Sequence, residues 1–206
     1  KVSVGGAVAT DGSVEIGEFG HVEVDGEVMQ SRRAIYVMMH KPAGYLSATV
    51  DPQHPTVMEL IGDAFGGEPL HIAGRLDRAS TGLLLLTNDG ELANRLTHPR
   101  FEVHQTYEVT VSGRLDDVAV QRLSASLFVP GADDVETGAG RSNLKLLGRD
   151  GTKTTLLMEL REGRNKQIRQ MLLRLGHPVR RLRRVGMGSL RLRGLAVGAW
   201  RDLTSH

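Results

Sequence analysis

A chain of 206 residues, 40% hydrophobic and with 26 basic against 24 acidic side chains, has the composition of a soluble globular protein and length for one large domain or two small ones. No apolar run approaches the roughly 20 residues of a membrane span and no signal-peptide pattern opens the chain. The lack of cysteine excludes disulfides and thiolate metal sites, and fits a reducing cytoplasm.

The first thirty residues alternate valine with polar or small residues (Lys1-Val-Ser-Val-Gly-Gly, His21-Val-Glu-Val-Asp-Gly), a period of two that predicts short strands ended by glycine turns. Ser31 to Ala34 can link this part to the main body. Ile35 to Met39 predicts a buried strand, closed by the turn Lys41-Pro-Ala-Gly44. Thr56 is placed to cap a short helix over 57–61. Leu83 to Leu86 predicts a strand buried on both faces, after which Asp89 can cap a helix from Glu91 to about Leu96. Further strands are expected over 107–111 and 154–160, and a helix over 118–123. Residues 129–141 predict irregular or hairpin structure. Ile168, Met171, Leu172 and Leu175 recur at helical spacing, and Gly176 stands where a helix ends. Residues 185–203 return to short strands broken by glycine. Strands and helices without regular βαβ alternation predict an α+β fold with a mixed, mainly antiparallel sheet and flanking helices. The 25 glycines, against a usual ~7% of residues, agree with many tight turns.

Charge is the next signal. The net value is only +2, yet Arg161 to Arg193 holds ten arginines and Lys166 against the single acid Glu162, while 11–27 is acidic. A basic block in a balanced chain suits a polyanion such as nucleic acid. Its densest part, Arg180-Arg-Leu-Arg-Arg184, also fits a charged edge strand that discourages aggregation. The eight histidines show no metal-ligand spacing.

One segment concentrates reactive groups: Gly74-Arg-Leu-Asp-Arg-Ala-Ser-Thr-Gly-Leu-Leu-Leu-Leu-Thr87. Two glycines bracket a loop with one acid, two arginines and two hydroxyls, and a buried strand follows. A carboxylate at the rim of a rigid sheet can serve as nucleophile or base; the alternative is that Asp77 only orders its loop. The segment resembles the signature loop of bacterial pseudouridine synthases that modify single uridines in ribosomal RNA. The resemblance extends to His40-Lys-Pro-Ala-Gly44, Asn88-Asp-Gly-Glu-Leu-Ala-Asn-Arg-Leu96, Gln105-Thr-Tyr107, Glu162-Gly-Arg-Asn-Lys-Gln-Ile-Arg169 and Gly198-Ala-Trp-Arg-Asp-Leu-Thr204, in order along the chain.

The resemblance implies the pseudouridine synthase fold and a cofactor-free, metal-free isomerisation of uridine by a cytoplasmic, monomeric enzyme that meets ribosomal RNA and no membrane. It implies that the aspartate matching Asp77 attacks the ribose or takes a ribose proton, that the ring of Tyr107 stacks on uracil and assists proton removal, and that Arg169 pairs with Asp77. Arg75, Arg164, Asn165 and Ile168 are expected at the substrate, and Arg181 and Arg184 at its phosphates, with Arg180 and Arg183 alongside. Residues 1–30 resemble the end of a small α-L RNA-binding module, and 35–206 the catalytic domain. Chemistry supports the set: desolvation raises a carboxyl pKa, and a guanidinium fork counters this and orients the acid. The chain departs from the family at Gln105, where a lysine is usual. A non-catalytic RNA-binding assembly factor is the rival reading. A glycosidase-like hydrolase would need paired carboxylates, which are not evident. Between subunits, Glu91 to Leu96 and Trp200 to Thr204 look like large-subunit enzymes, whereas Asp51 to Val57 looks like the small-subunit one.

Overall fold

The computed structural model describes residues 1–127, 144–160 and 165–204. The described residues form two sheets. The small one comes from the valine-alternating start, with strands β1 (Val2–Val4), β2 (Ala7–Val8), β3 (Val22–Val24) and β4 (Glu27–Gln30) in the order β2-β1-β3-β4, every pair antiparallel. Arg32 ties it to the rest of the chain, pairing with Glu18 on one side and with Glu68 at 2.6 Å on the other.

The large sheet runs β13 (Trp200–Asp202), β5 (Tyr36–Lys41), β7 (Thr81–Thr87), β11 (Val179–Met187), β8 (Gln105–Ser112), β10 (Lys153–Leu160) and β9 (Leu144–Arg149). Strand β6 (His71–Ala73) adds to β7, and β12 (Leu190–Arg191) adds to β11. Among the described strand pairs of this sheet only β7–β11 is parallel, so the mixed and mainly antiparallel α+β expectation holds. Helices α1 (Val57–Ile61), α2 (Gly90–Thr97), α3 (Asp117–Leu127) and α4 (Asn165–Arg174) flank it.

Local chemistry explains several boundaries. Glu59 accepts from the Thr56 backbone N–H at 2.8 Å, the carboxylate half of a capping box that starts α1. Asp89 accepts from Leu92 N–H at 2.8 Å and caps α2. Every residue from Gly82 to Thr87 is buried, because apolar groups cover both faces of β7. Val37, Met39, Leu84 and Leu86 join α1 and Trp200 on one side, while Met38, Leu83 and Leu85 join Met187 and the α2 side chains on the other. Strands β8 and β10 instead alternate. Val109, Val111, Leu156 and Met158 face a core shared with Leu123, Ile168 and Leu172, and their neighbours Thr110 and Thr155 face outward.

The structure departs from the sequence reading at three strands. Strands β9 and β6 were not anticipated, and the irregular or hairpin structure expected over 129–141 lies outside the described residues. Strand β11 is not an edge strand. It lies between β7 and β8, near the middle of the sheet. Its contact with β7 depends on Gly82, where a Cβ would stand 2.2 Å from the Arg184 carbonyl oxygen. With φ at +119°, Gly82 also adopts a backbone conformation that side chains disfavour.

Candidate active site

Strand β7 changes partners along its length. Its first residues pair with β11 (Arg183↔Thr81, Arg184↔Gly82), and its last with β6 (Ala73↔Leu85 to His71↔Thr87). Between those neighbours the sheet forks. A cleft of about 350 Å³ opens there, lined by Ile72, Gly74, Arg75, Thr97, Gln105 and Arg184. The loop that links β6 to β7 starts in this cleft at Gly74 and carries Asp77.

The loop backbone is held along its length by residues 41–47. The Ser47 hydroxyl donates to the Leu76 carbonyl at 3.0 Å and accepts from its N–H at 3.1 Å. Gly44 N–H, at a φ of +93°, donates to the Arg78 carbonyl at 2.7 Å. Lys41, with no exposed surface, donates from Nζ to three carbonyls: Pro42 at 3.0 Å, Asp77 at 3.1 Å and Ser80 at 2.9 Å. Burial lowers its pKa to about 8; the Asp77 charge opposes that fall and the Arg184 charge adds to it.

Asp77 therefore sits on a fixed backbone, and its side chain is oriented from another element. Arg169, on α4, donates from Nε to Asp77 Oδ2 at 3.1 Å and from Nη2 to Ser80 Oγ at 3.1 Å. The expected two-pronged fork on the carboxylate is thus divided between the aspartate and the serine. Oδ1 of Asp77 is buried and has no hydrogen-bond partner among the described residues. Burial pushes the Asp77 pKa up, but the Ser80 hydroxyl, the Arg169 charge and the hydrogen bond from Arg169 outweigh it, and the net shift is downward. The result is an ionised carboxylate with one oxygen anchored by Arg169 and the other with no partner among the described residues. That arrangement suits a nucleophile or a base.

Tyr107 has no exposed surface. Its ring lies in the core with Leu76 and Ile168, and its hydroxyl donates to Gln105 Oε1 at 2.7 Å. A base can stack on this ring only after the side chains over it move. Ile168 is equally buried, beside Tyr107 in that core and outside the cleft lining. Arg75 is exposed and lines the cleft. Arg164 lies outside the described residues, and Asn165 is described only as the first residue of α4.

The basic block does not form one surface. Arg184, expected at phosphates, is 1% exposed and turns inward, donating to the Leu83 carbonyl at 2.7 Å and to Gln105 at 3.0 Å. The reason is register: Arg184 lies opposite Tyr107, whose face is the core, whereas Arg181 and Arg183 lie opposite Thr110 and Glu108 on the outer face. Arg183 is bonded to Glu108 at 2.8 Å, and Arg180 to the Ser112 hydroxyl at 2.7 Å. Arg181 is exposed on the side of the sheet away from Tyr107. Two site residues escaped the sequence reading. Lys41 stood within a quoted motif, but its role needs carbonyls from separate segments; Ser47 had no sequence signal.

Comparison with known proteins points to one family. A family model described as RNA pseudouridylate synthase matches residues 35–174. The chain is 37% identical over 210 residues to the ribosomal large subunit pseudouridine synthase B of Bacillus subtilis, covering 100% of this chain and 83% of that protein. It is 39% identical over 205 residues to the ribosomal small subunit pseudouridine synthase A of Pseudomonas aeruginosa, covering 98% and 86%. Among solved structures, a crystal structure of a pseudouridylate synthase superposes with a TM-score of 0.66 at 28% identity, covering 99% of this chain and 85% of the other.

Proposed function

The chain belongs to the RNA pseudouridylate synthase family, and on that premise we propose that it converts one specific uridine of ribosomal RNA to pseudouridine, with Asp77 as the reacting carboxylate. The observation that carries this reading is the Asp77 carboxylate itself. Arg169 holds Oδ2, Oδ1 has no partner among the described residues, and the loop is fixed by Lys41 and Ser47.

The isomerisation exchanges one bond for another. The C1′–N1 bond breaks and its electron pair leaves with uracil. The ring turns, C5 bonds to C1′, the C5 proton is lost, and N1 gains a proton. No net oxidation occurs, so no redox cofactor is called for. Asp77 can capture C1′ directly or remove a ribose proton; both routes need the ionised, half-anchored carboxylate. Tyr107 is the aromatic surface for the flipped base, a contact of about 1–3 kcal/mol once the ring is uncovered. Arg75, on the cleft wall, is placed for the RNA backbone. In this reading 35–206 carry the chemistry in a monomeric cytoplasmic enzyme, and 1–30 enlarge the RNA footprint.

We assign the target to the large subunit, on Glu91 to Leu96 and Trp200 to Thr204, with the small subunit as the alternative favoured by Asp51 to Val57. Mapping pseudouridines in both ribosomal RNAs of a deletion strain, complemented with wild type or Asp77→Asn, tests the assignment. One large-subunit site should vanish and return only with wild type. Loss of a small-subunit site would move the target, and no lost site would leave the RNA-binding assembly role.

A further inference from the structure

We propose that Gln105 is a positioning residue for Tyr107: its side-chain carbonyl, itself oriented by Arg184, sets the direction of the Tyr107 hydroxyl and of the hydrogen bond it makes. Only the kinetic part of the test rests on the functional reading above.

Gln105 Oε1 lies 2.7 Å from the Tyr107 hydroxyl and 3.0 Å from Arg184 Nη1. All three side chains are buried. A guanidinium has donors and no acceptor, so the glutamine atom that faces it must be the carbonyl oxygen. This fixes an amide orientation that carbon and nitrogen positions alone leave open. The Tyr107 hydroxyl is then obliged to donate to that same oxygen. Turning the amide over would set its N–H groups against Arg184 and leave the buried Nη1 without an acceptor. Arg184 cannot move aside to permit this, since Nε is bonded to the Leu83 carbonyl at 2.7 Å and its backbone presses on Gly82. Constraint therefore passes from β7 through Arg184 and Gln105 to the ring of Tyr107. A side chain offering only donors at position 105, such as lysine, could not accept from both partners.

The test compares wild type, Gln105→Met, which keeps the shape and removes the acceptor, Gln105→Glu, which keeps an acceptor oxygen, Tyr107→Phe, and Tyr107→Phe combined with Gln105→Met. With isotope-labelled tyrosine, the Cζ resonance of Tyr107 (identified by its loss in Tyr107→Phe) reports the hydroxyl hydrogen bond without any turnover. It should move in Gln105→Met and stay in Gln105→Glu. On a ribosomal RNA fragment, Gln105→Met should lower kcat about tenfold, equal to about 1.4 kcal/mol, with KM within about twofold. Gln105→Glu should recover most of that loss, and the double variant should be no slower than Tyr107→Phe. An unmoved resonance in folded Gln105→Met, or losses that multiply in the double variant, would overturn the proposal. Should Gln105→Met not fold, a resonance displaced in Gln105→Glu overturns it, and an unchanged one with near-wild-type kcat supports it. Failure of wild type to form pseudouridine would strike the functional reading and leave the resonance result intact.

Discussion

The two halves of the large sheet solve the same packing problem differently. Around β5 and β7, side chains are apolar on both faces, and each face meets its own cluster. Around β8, β10 and β11, one face is apolar and the other carries Glu108 with Arg183, Thr110 beside Thr155, and His104 with Glu159. The halves meet at the short parallel contact between β7 and β11. Polar groups enter the interior at this seam: Lys41, Ser80, Gln105 and Arg184 are all buried around it. A doubly covered strand supplies rigidity and a one-sided strand supplies polar residues in alternation; the candidate site needs both, and lies where they join.

The largest effect should come from Asp77, the proposed reacting group. Asp77→Asn should reduce pseudouridine formation by on the order of 10³-fold or more, with stability changed by less than about 1 kcal/mol; quantifying pseudouridine in treated RNA beside a urea melt checks both halves of the claim. The seam can also be pried open. Gly82→Ala places a Cβ 2.2 Å from the Arg184 carbonyl oxygen, and should destabilise the fold by about 3 kcal/mol. Gly148→Ala on β9, with nothing within 4 Å of the new carbon, should be neutral or stabilising by about 0.5 kcal/mol. Equal urea midpoints for the two would contradict the special closeness of the seam.

Lys41→Met, which leaves the loop carbonyls without their donor, should cost about 2 kcal/mol and more in kcat than in KM. Its titration sharpens the point. The native ammonium loses its proton near pH 8, whereas in the unfolded chain it does so at about 10.4. Between those values the unfolded state binds more protons, so the lysine's share of stability rises with pH. A neutral amine, however, can donate to only two of the Pro42, Asp77 and Ser80 carbonyls, where the ammonium reaches all three. Activity should therefore decline as pH rises through about 8 while this group's stability share increases, and the variant should lack that decline. The smallest effect belongs to the outer face: Glu108→Gln, which weakens a partly exposed pair with Arg183, should cost at most about 1 kcal/mol, and less in high salt.

How much was legible follows the same division. Runs with a purely local cause were readable: Leu83 to Leu86 as a strand covered on both faces, Thr56 before α1, Asp89 before α2, and the apolar stripe of α4. Asp77 and Arg169 were named through the resemblance, and the structure brings them together. What depends on strand order was not readable. Arg180 to Arg184 presents as a block of charge, and only its register against β8 divides it into one residue facing in and others facing out. Gln105 was visible as a departure, but its shared acceptor has meaning only once Arg184 is known to stand beside it. Lys41 and Ser47 act on backbone carbonyl and amide groups, which leave no trace in side-chain patterns.

The Asp77–Arg169 contact joins residues 92 positions apart. A chain emerging from the ribosome has made its carboxylate long before the arginine that orients it exists, and domains fold as units during synthesis. Closing so large a loop is slow compared with pairing neighbouring strands. If Asp77 reacts as proposed, its carboxylate is not oriented until α4 has docked, and completion of the fold comes before chemistry.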